Sequence, residues 1–182
     1  MAGKSSTAKA LVNKLQTEGV AVELLKETTT RPRRKSDYSN PEYHFVTDEE
    51  YNRKDFLVSV DFNVASGEVW RYGIENQEFP GLGIIVSNMY AVDYLLTHPL
   101  PEDLEIVIIY LKVTKNVILR RDKGDRLTQK GDDVLKRIQR DINNYNKLYK
   151  KHKENILVID IDCCSDFGLE WVVDIAHELI YF

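Results

Sequence analysis

The 182 residues are 43% apolar and 30% charged, with a net charge of −4; that excludes wholesale disorder and leaves material for one sizeable core plus a small inserted lobe. The acidic balance argues against nucleic-acid binding through a generally basic surface. No stretch approaches the ~20 apolar residues of a membrane span, and the start, MAGKSSTAKA, lacks the apolar segment of a secretory signal. The adjacent Cys163 and Cys164 suit neither a disulfide framework nor a metal site with separated ligands. The expectation is a soluble, cytoplasmic protein with reduced thiols.

Ala8, Leu11, Val12 and Leu15 recur at helical spacing, predicting a helix over Ser6–Gln16 that ends at Gly19. Val20–Leu25 is short, apolar and β-branched, as a buried strand should be. Thr28–Pro41 is polar, basic and interrupted by prolines, so a loop is expected. Tyr43–Val46, Phe56–Phe62 and Glu68–Ile74 then predict strands of a small antiparallel lobe. Ile84–Val86 and Ile106–Val113 follow as core strands, with a helix over Met89–Leu96 between them. Val134, Ile138, Ile142, Tyr145 and Leu148 stripe a long helix over Asp132–Lys151. Ile156–Ile161 predicts another strand and Leu169–Leu179 a closing helix. Strands alternating with helices indicate a parallel α/β sheet covered on both faces, with a lobe inserted over 32–79.

Four motifs carry chemistry. Gly3-Lys4-Ser5-Ser6 stands directly before a helix, like the end of a phosphate-binding loop G-x-x-x-x-G-K-[ST]. In such a loop backbone N–H groups surround phosphates, the lysine reaches the β/γ-phosphates and the hydroxyl ligates Mg²⁺. Its first glycine would fall before residue 1, and so would the strand that feeds the loop. Thr29-Thr30-Arg31-Pro32-Arg33-Arg34, followed by Tyr43, offers guanidinium forks and a phenol to a phosphate dianion. Trp70-Arg71-Tyr72-Gly73 brings a second tyrosine. Arg120, Arg121, Lys123, Arg126, Arg137 and Arg140 form a basic run around a glycine-containing loop, able to offset charge in phosphoryl transfer. His44, His98, His152 and His177 show no metal-ligand spacing, and Trp70 and Trp171 read as packing residues.

Taken in order, the succession GKSS, TTRPRR, YHFV, WRYG and an Arg-rich hinge resembles the guanylate kinase family over essentially the whole chain. The resemblance implies a P-loop NTPase-like parallel sheet flanked by helices (residues 1–31 and 80–182), a mostly β nucleoside-monophosphate lobe (32–79) and a helical lid (about 121–137). It implies transfer of the γ-phosphoryl of ATP, with Mg²⁺, to GMP, dGMP or a related nucleoside monophosphate. Gly3, Lys4, Ser5 and Ser6 would hold MgATP, with Ser5 on the metal. Arg31, Arg34, Tyr43, Tyr72 and Gly73 fall on monophosphate-binding positions. Lys4, Arg120, Arg126 and Arg137 would be catalytic. No membrane and no nucleic acid is expected as partner; a homodimer is open.

Departures concentrate on the base-reading positions. Glu27 stands for a serine, Val58 for a glutamate, Ile74 for a Ser/Thr, and Val86-Ser87-Asn88 for a strand ending D-x-D. Losing several hydrogen-bonding groups should weaken guanine preference. Glu27 is one candidate for a relocated carboxylate; Asp61 is another if the alignment slips. For the incomplete loop three explanations stand: an upstream start with the missing strand, a partner chain filling the gap, or abandoned catalysis. The alternative function is a non-catalytic guanylate-kinase-like domain that binds a phosphorylated peptide through the same arginine–tyrosine clamp.

Overall fold

A computed structural model describes residues 3–33, 37–38, 43–63, 67–76, 81–121, 131–160 and 168–181; the side chains of 119–121, 131–135, 137 and 168 are not described. The protein is mixed α/β, with six helices and three small sheets among the described residues. It divides into two compact units, residues 1–13 with 105–182, and residues 14–104.

Helix α1 (Lys4–Thr17) buries Ala8, Leu11, Val12 and Leu15, the predicted stripe. Gly19 closes it at φ +83, with the Val20 N–H on the Leu15 carbonyl at 2.9 Å and the Gly19 N–H on Gln16 at 3.1 Å, the double bond of a Schellman cap. Strand β1 (Val22–Leu25) follows.

In the 14–104 unit, β1 pairs in parallel with β6 (Leu82–Ile85), Val22 opposite Leu82 and Leu25 opposite Ile85. Between them in sequence lie β2 (Glu27–Thr29), β3 (Tyr43–Phe45), the short helix α2 (Asp48–Asn52), β4 (Phe56–Asn63) and β5 (Val69–Glu75). The four strands form one sheet in the order β3-β2-β5-β4. The lobe differs from the expected antiparallel one in two ways. The β2–β3 pair is parallel, and β2 occupies Glu27–Thr29, upstream of residue 32 and partly inside the stretch expected to be loop. Thr28 and Thr29 are fully buried although polar, because their hydroxyls have acceptors: Thr29 Oγ1 donates to the Arg71 carbonyl at 2.8 Å, and Thr28 Oγ1 donates to Glu75.

Register assigns the two faces of this sheet. Thr29 and Val60 both lie opposite Tyr72, Val58 opposite Ile74, and Phe62 opposite Trp70, so these share a face with Tyr43 and Phe45. Helix α3 (Met89–Thr97) covers part of that face, packing Ala91, Tyr94 and Leu95 with the buried Val58 and Ile74. The other face is closed by α2, a helix missed above although its capping box is visible as Thr47-x-x-Glu50. Thr47 N–H donates to Glu50 Oε2 at 2.8 Å, and Glu50 N–H donates to Thr47 Oγ1 at 3.2 Å. Tyr51 of α2 is 3% exposed, stacks on Phe56 at 4.2 Å and shares a hydrogen bond with Ser59 at 2.9 Å. Arg71 lies over the Tyr51 ring at 4.6 Å and holds Asp48 and Asn52.

The other unit carries β7 (Ile109–Lys112) parallel to β8 (Leu157–Asp160), together with α4 (Lys115–Arg121), α5 (Gly131–Lys151) and α6 (Gly168–Ile180). Lys112 Nζ joins Asp160 at 2.6 Å across the strands. Tyr110 stacks on Tyr145 of α5 at 5.6 Å, and Ile138 and Leu148 of α5 are buried. Helix α4 was not foreseen; its last residues were read as part of an Arg-rich hinge. No helix among the described residues is long and apolar enough to cross a membrane.

Candidate functional site

Tyr43 and Tyr72, 29 residues apart in sequence, come together because β2 lies between β3 and β5, with Glu27 opposite Tyr43 and Thr29 opposite Tyr72. Their rings meet edge to face at 5.9 Å. Arg31, just past β2, extends over the first of these rings and its neighbour Phe45: its guanidinium carbon is 5.3 Å from the Tyr43 centroid and 5.1 Å from that of Phe45. The Arg31 N–H is held by Thr29 Oγ1 at 3.1 Å. Three of the residues expected to clamp a phosphate are therefore neighbours on one face of the lobe. Arg34 lies outside the described residues.

Arg31 is 4% exposed, and its guanidinium is already engaged. Nη2 meets Asp37 Oδ2 at 3.1 Å, and Nη1 donates to the Pro32 carbonyl at 2.9 Å. The Asp37 pair was not foreseen; its signal in the sequence is an acid six residues beyond an arginine, across a stretch with two further arginines and a lysine that could equally claim it. Arg33 is exposed and lies over Phe45 at 4.7 Å and Tyr38 at 5.9 Å.

Gly73, expected near a monophosphate, has a packing reason to be glycine. A Cβ there would stand 2.5 Å from Phe56 and 2.6 Å from the Tyr51 hydroxyl. Val58 and Ile74, the positions that would have read guanine, are core residues beneath α3. Of the two carboxylates considered as replacements, Asp61 alternates onto the face opposite Tyr72, whereas Glu27, opposite Tyr43, shares the tyrosines' face. Glu27 is 2% exposed and accepts a hydrogen bond from the Ser87 hydroxyl. That bond ties β2 to the turn after β6, where Asn88 caps α3 by accepting from the N–H groups of Tyr90 and Ala91.

Lys4, Ser5 and Ser6 open α1. Gly3 takes φ +86, a left-handed conformation natural only to glycine, and its carbonyl accepts the first helical bond from Thr7 at 2.9 Å. The backbone N–H groups of this first turn point away from the helix, as anion binding requires. Lys4 Nζ lies 6.0 Å from the Tyr145 centroid. Arg120 falls in α4 and Arg137 in α5, but their side chains are not described; Arg126, Cys163 and Cys164 lie outside the described residues. The same unit carries a depression of about 270 Å³ of mixed lining, with Val113 and Ile142 beside Lys112, Lys115, Asn116 and Gln139, which sequence reasoning did not single out.

On the far face of the lobe, Glu75 gathers Thr28 Oγ1, Lys54 Nζ at 2.9 Å and His44 Nδ1 at 3.4 Å. Burial by itself would raise its pKa, but hydrogen bonds from Thr28 and Lys54 and the lysine's charge outweigh that and hold the carboxyl below its usual range. A carboxyl depressed in the folded state stabilises above its unfolded pKa, and that contribution disappears as pH falls through the folded value. Acid titration followed by circular dichroism should therefore show stability falling below about pH 4. Glu75→Gln should flatten that limb; an unchanged acid limb would remove Glu75 from the account.

Comparison with known proteins finds no family model and no curated protein that matches the chain.

Proposed function

We propose that the protein is a nucleoside-monophosphate kinase resembling guanylate kinase, with a P-loop NTPase-like core, an inserted acceptor lobe and a lid. It transfers the γ-phosphoryl of MgATP to GMP, dGMP or a related nucleoside monophosphate. The observation that carries the reading is the grouping of Arg31, Tyr43 and Tyr72 on one face of the lobe. The left-handed Gly3 before Lys4, Ser5 and Ser6 supports it on the donor side, and the parallel β1–β6 and β7–β8 pairs support the core.

In this reading the first-turn N–H groups and Lys4 bind the ATP phosphates. The Ser5 hydroxyl, an oxygen donor beside phosphates, suits Mg²⁺, which offsets phosphate charge when bound. The Tyr43 and Tyr72 hydroxyls, with Arg31 and Arg34, orient the acceptor phosphate. Asp37 occupies one side of the Arg31 guanidinium, so an incoming dianion competes with a carboxylate for the same donors. Arg120, Arg126 and Arg137 act from the lid as charge develops. The acceptor oxygen is already anionic, so positioning and electrostatics carry the step with no strong general base.

The test is MgATP-dependent formation of ADP and nucleoside diphosphate across GMP, dGMP, AMP and pyrimidine monophosphates, with Lys4→Ala as control. The expected result is turnover that Lys4→Ala lowers at least ~100-fold. Glu27→Ala should leave the ratio of GMP to AMP use unaltered, because the carboxylate is buried and held by Ser87; a ratio shifted away from GMP would establish Glu27 as a relocated guanine reader. Thermal stabilisation by a phosphopeptide, with none by MgATP, would favour the non-catalytic alternative.

A further inference from the structure

The tyrosine pair belongs to a longer run of rings. Phe45, Tyr43, Tyr72, Phe62 and Tyr90 meet in succession edge to face, with centroids 6.0, 5.9, 6.4 and 5.8 Å apart. The run crosses the lobe sheet from β3 through β5 and β4 to the first turn of α3. None of the five is buried, and Tyr90 is 43% exposed, whereas Val58 and Ile74 on the same face are 0% and 7% exposed. The lobe can bury apolar side chains here, yet it leaves these rings accessible. Among the described residues, the arginines that meet the run do so at one end: Arg31, buried and paired with Asp37, and the exposed Arg33 lie against Tyr43 and Phe45. A surface cationic at one end and aromatic along its length complements a molecule with an anionic head and a flat ring tail.

We infer that this run is a stacking platform for the acceptor nucleotide, with the phosphate at the Arg31–Tyr43 end and the base against Phe62 and Tyr90. The inference rests on the kinase reading for its ligand class and extends it to specificity. Every base offers a π-face, so stacking holds bases without reading their hydrogen-bond pattern. The positions that would have supplied that pattern, Val58 and Ile74, are apolar, and the Glu27 carboxylate is buried with Ser87 upon it. Selection then follows ring area: purines over pyrimidines, with guanine and adenine nearly equal.

The experiment is calorimetric binding of GMP, AMP, CMP and UMP to the full chain, with ribose 5-phosphate as the base-less probe, for wild type, Tyr90→Leu, Phe62→Leu and Tyr90→Phe. GMP and AMP should bind within ~10-fold of each other, and both at least ~10-fold more tightly than ribose 5-phosphate. Tyr90→Leu and Phe62→Leu should each lose most of that margin while ribose 5-phosphate binding stays put, and Tyr90→Phe should retain it. A preference of ~1,000-fold for GMP over AMP overturns the platform. So do leucine variants that bind as wild type, or a phosphotyrosine peptide that binds more tightly than any nucleotide. Turnover measured in parallel separates the two ideas. The expected binding pattern without product formation leaves the platform standing and removes the kinase, whereas turnover unaltered by the leucine variants does the reverse. No nucleotide binding at all removes both.

Discussion

Replacing Arg31 by alanine should destabilise the protein by ~3–5 kcal/mol, the cost of stranding one partner of a buried ion pair. Both partners are sheltered, with side-chain exposures of 3% for Arg31 and 12% for Asp37, so water cannot readily replace the lost guanidinium. The substitution also removes cation–π contacts to Tyr43 and Phe45, each worth ~1 kcal/mol or somewhat more when desolvated. Urea unfolding followed by circular dichroism measures it. The double variant Arg31→Ala/Asp37→Ala should recover part of the loss, because no carboxylate is then left buried alone. A single variant within ~1 kcal/mol of wild type would show the pair to be energetically peripheral. Asp37→Asn adds a functional arm: removing the competing negative charge should tighten binding of a phosphate dianion at Arg31.

Gly73→Ala should cost ~2–3 kcal/mol, near the upper end for overpacking. The new methyl would overlap Phe56 and the Tyr51 hydroxyl, and neither can step aside easily. Tyr51 is stacked on Phe56, hydrogen-bonded to Ser59 and covered by Arg71. The melting temperature should fall by roughly 5–10 °C, and Tyr51→Phe in the same chain should relieve part of the overlap by removing the hydroxyl oxygen. The outcome separates two explanations of one glycine. A variant that melts like wild type yet loses nucleotide binding would assign Gly73 to the ligand rather than to packing.

Much of the fold was legible because it follows from local periodicity. The stripe of α1, the long amphipathic α5, and the strands at Phe56–Asn63 and Val69–Glu75 lie within a residue or two of their expected places. Two of the elements missed, β2 and α2, show no local period. Strand β2 reads Glu-Thr-Thr, a polar sequence that becomes interior only because Glu75, Arg71 and Ser87 supply partners from distant strands and turns. Helix α2 is too short to show a period, and its single buried residue is Tyr51; only its capping box marked it. The candidate site divides the same way. Tyr43 and Tyr72 stood out from their motifs, whereas Phe62 and Tyr90 join them through the register that sets Phe62 opposite Trp70 and through the packing of α3 on β4. Asp37 could not be matched to Arg31 because the turn joining them is not a regular element whose spacing predicts contact.

The chain has two tryptophans, and the division into units separates them: Trp70 lies on β5 in residues 14–104, and Trp171 on α6 in residues 105–182. Each unit thus carries its own intrinsic fluorophore. With Trp70→Phe or Trp171→Phe, indole emission reports on one unit at a time, and two superimposable or two displaced denaturation curves reveal whether the halves melt as one cooperative body.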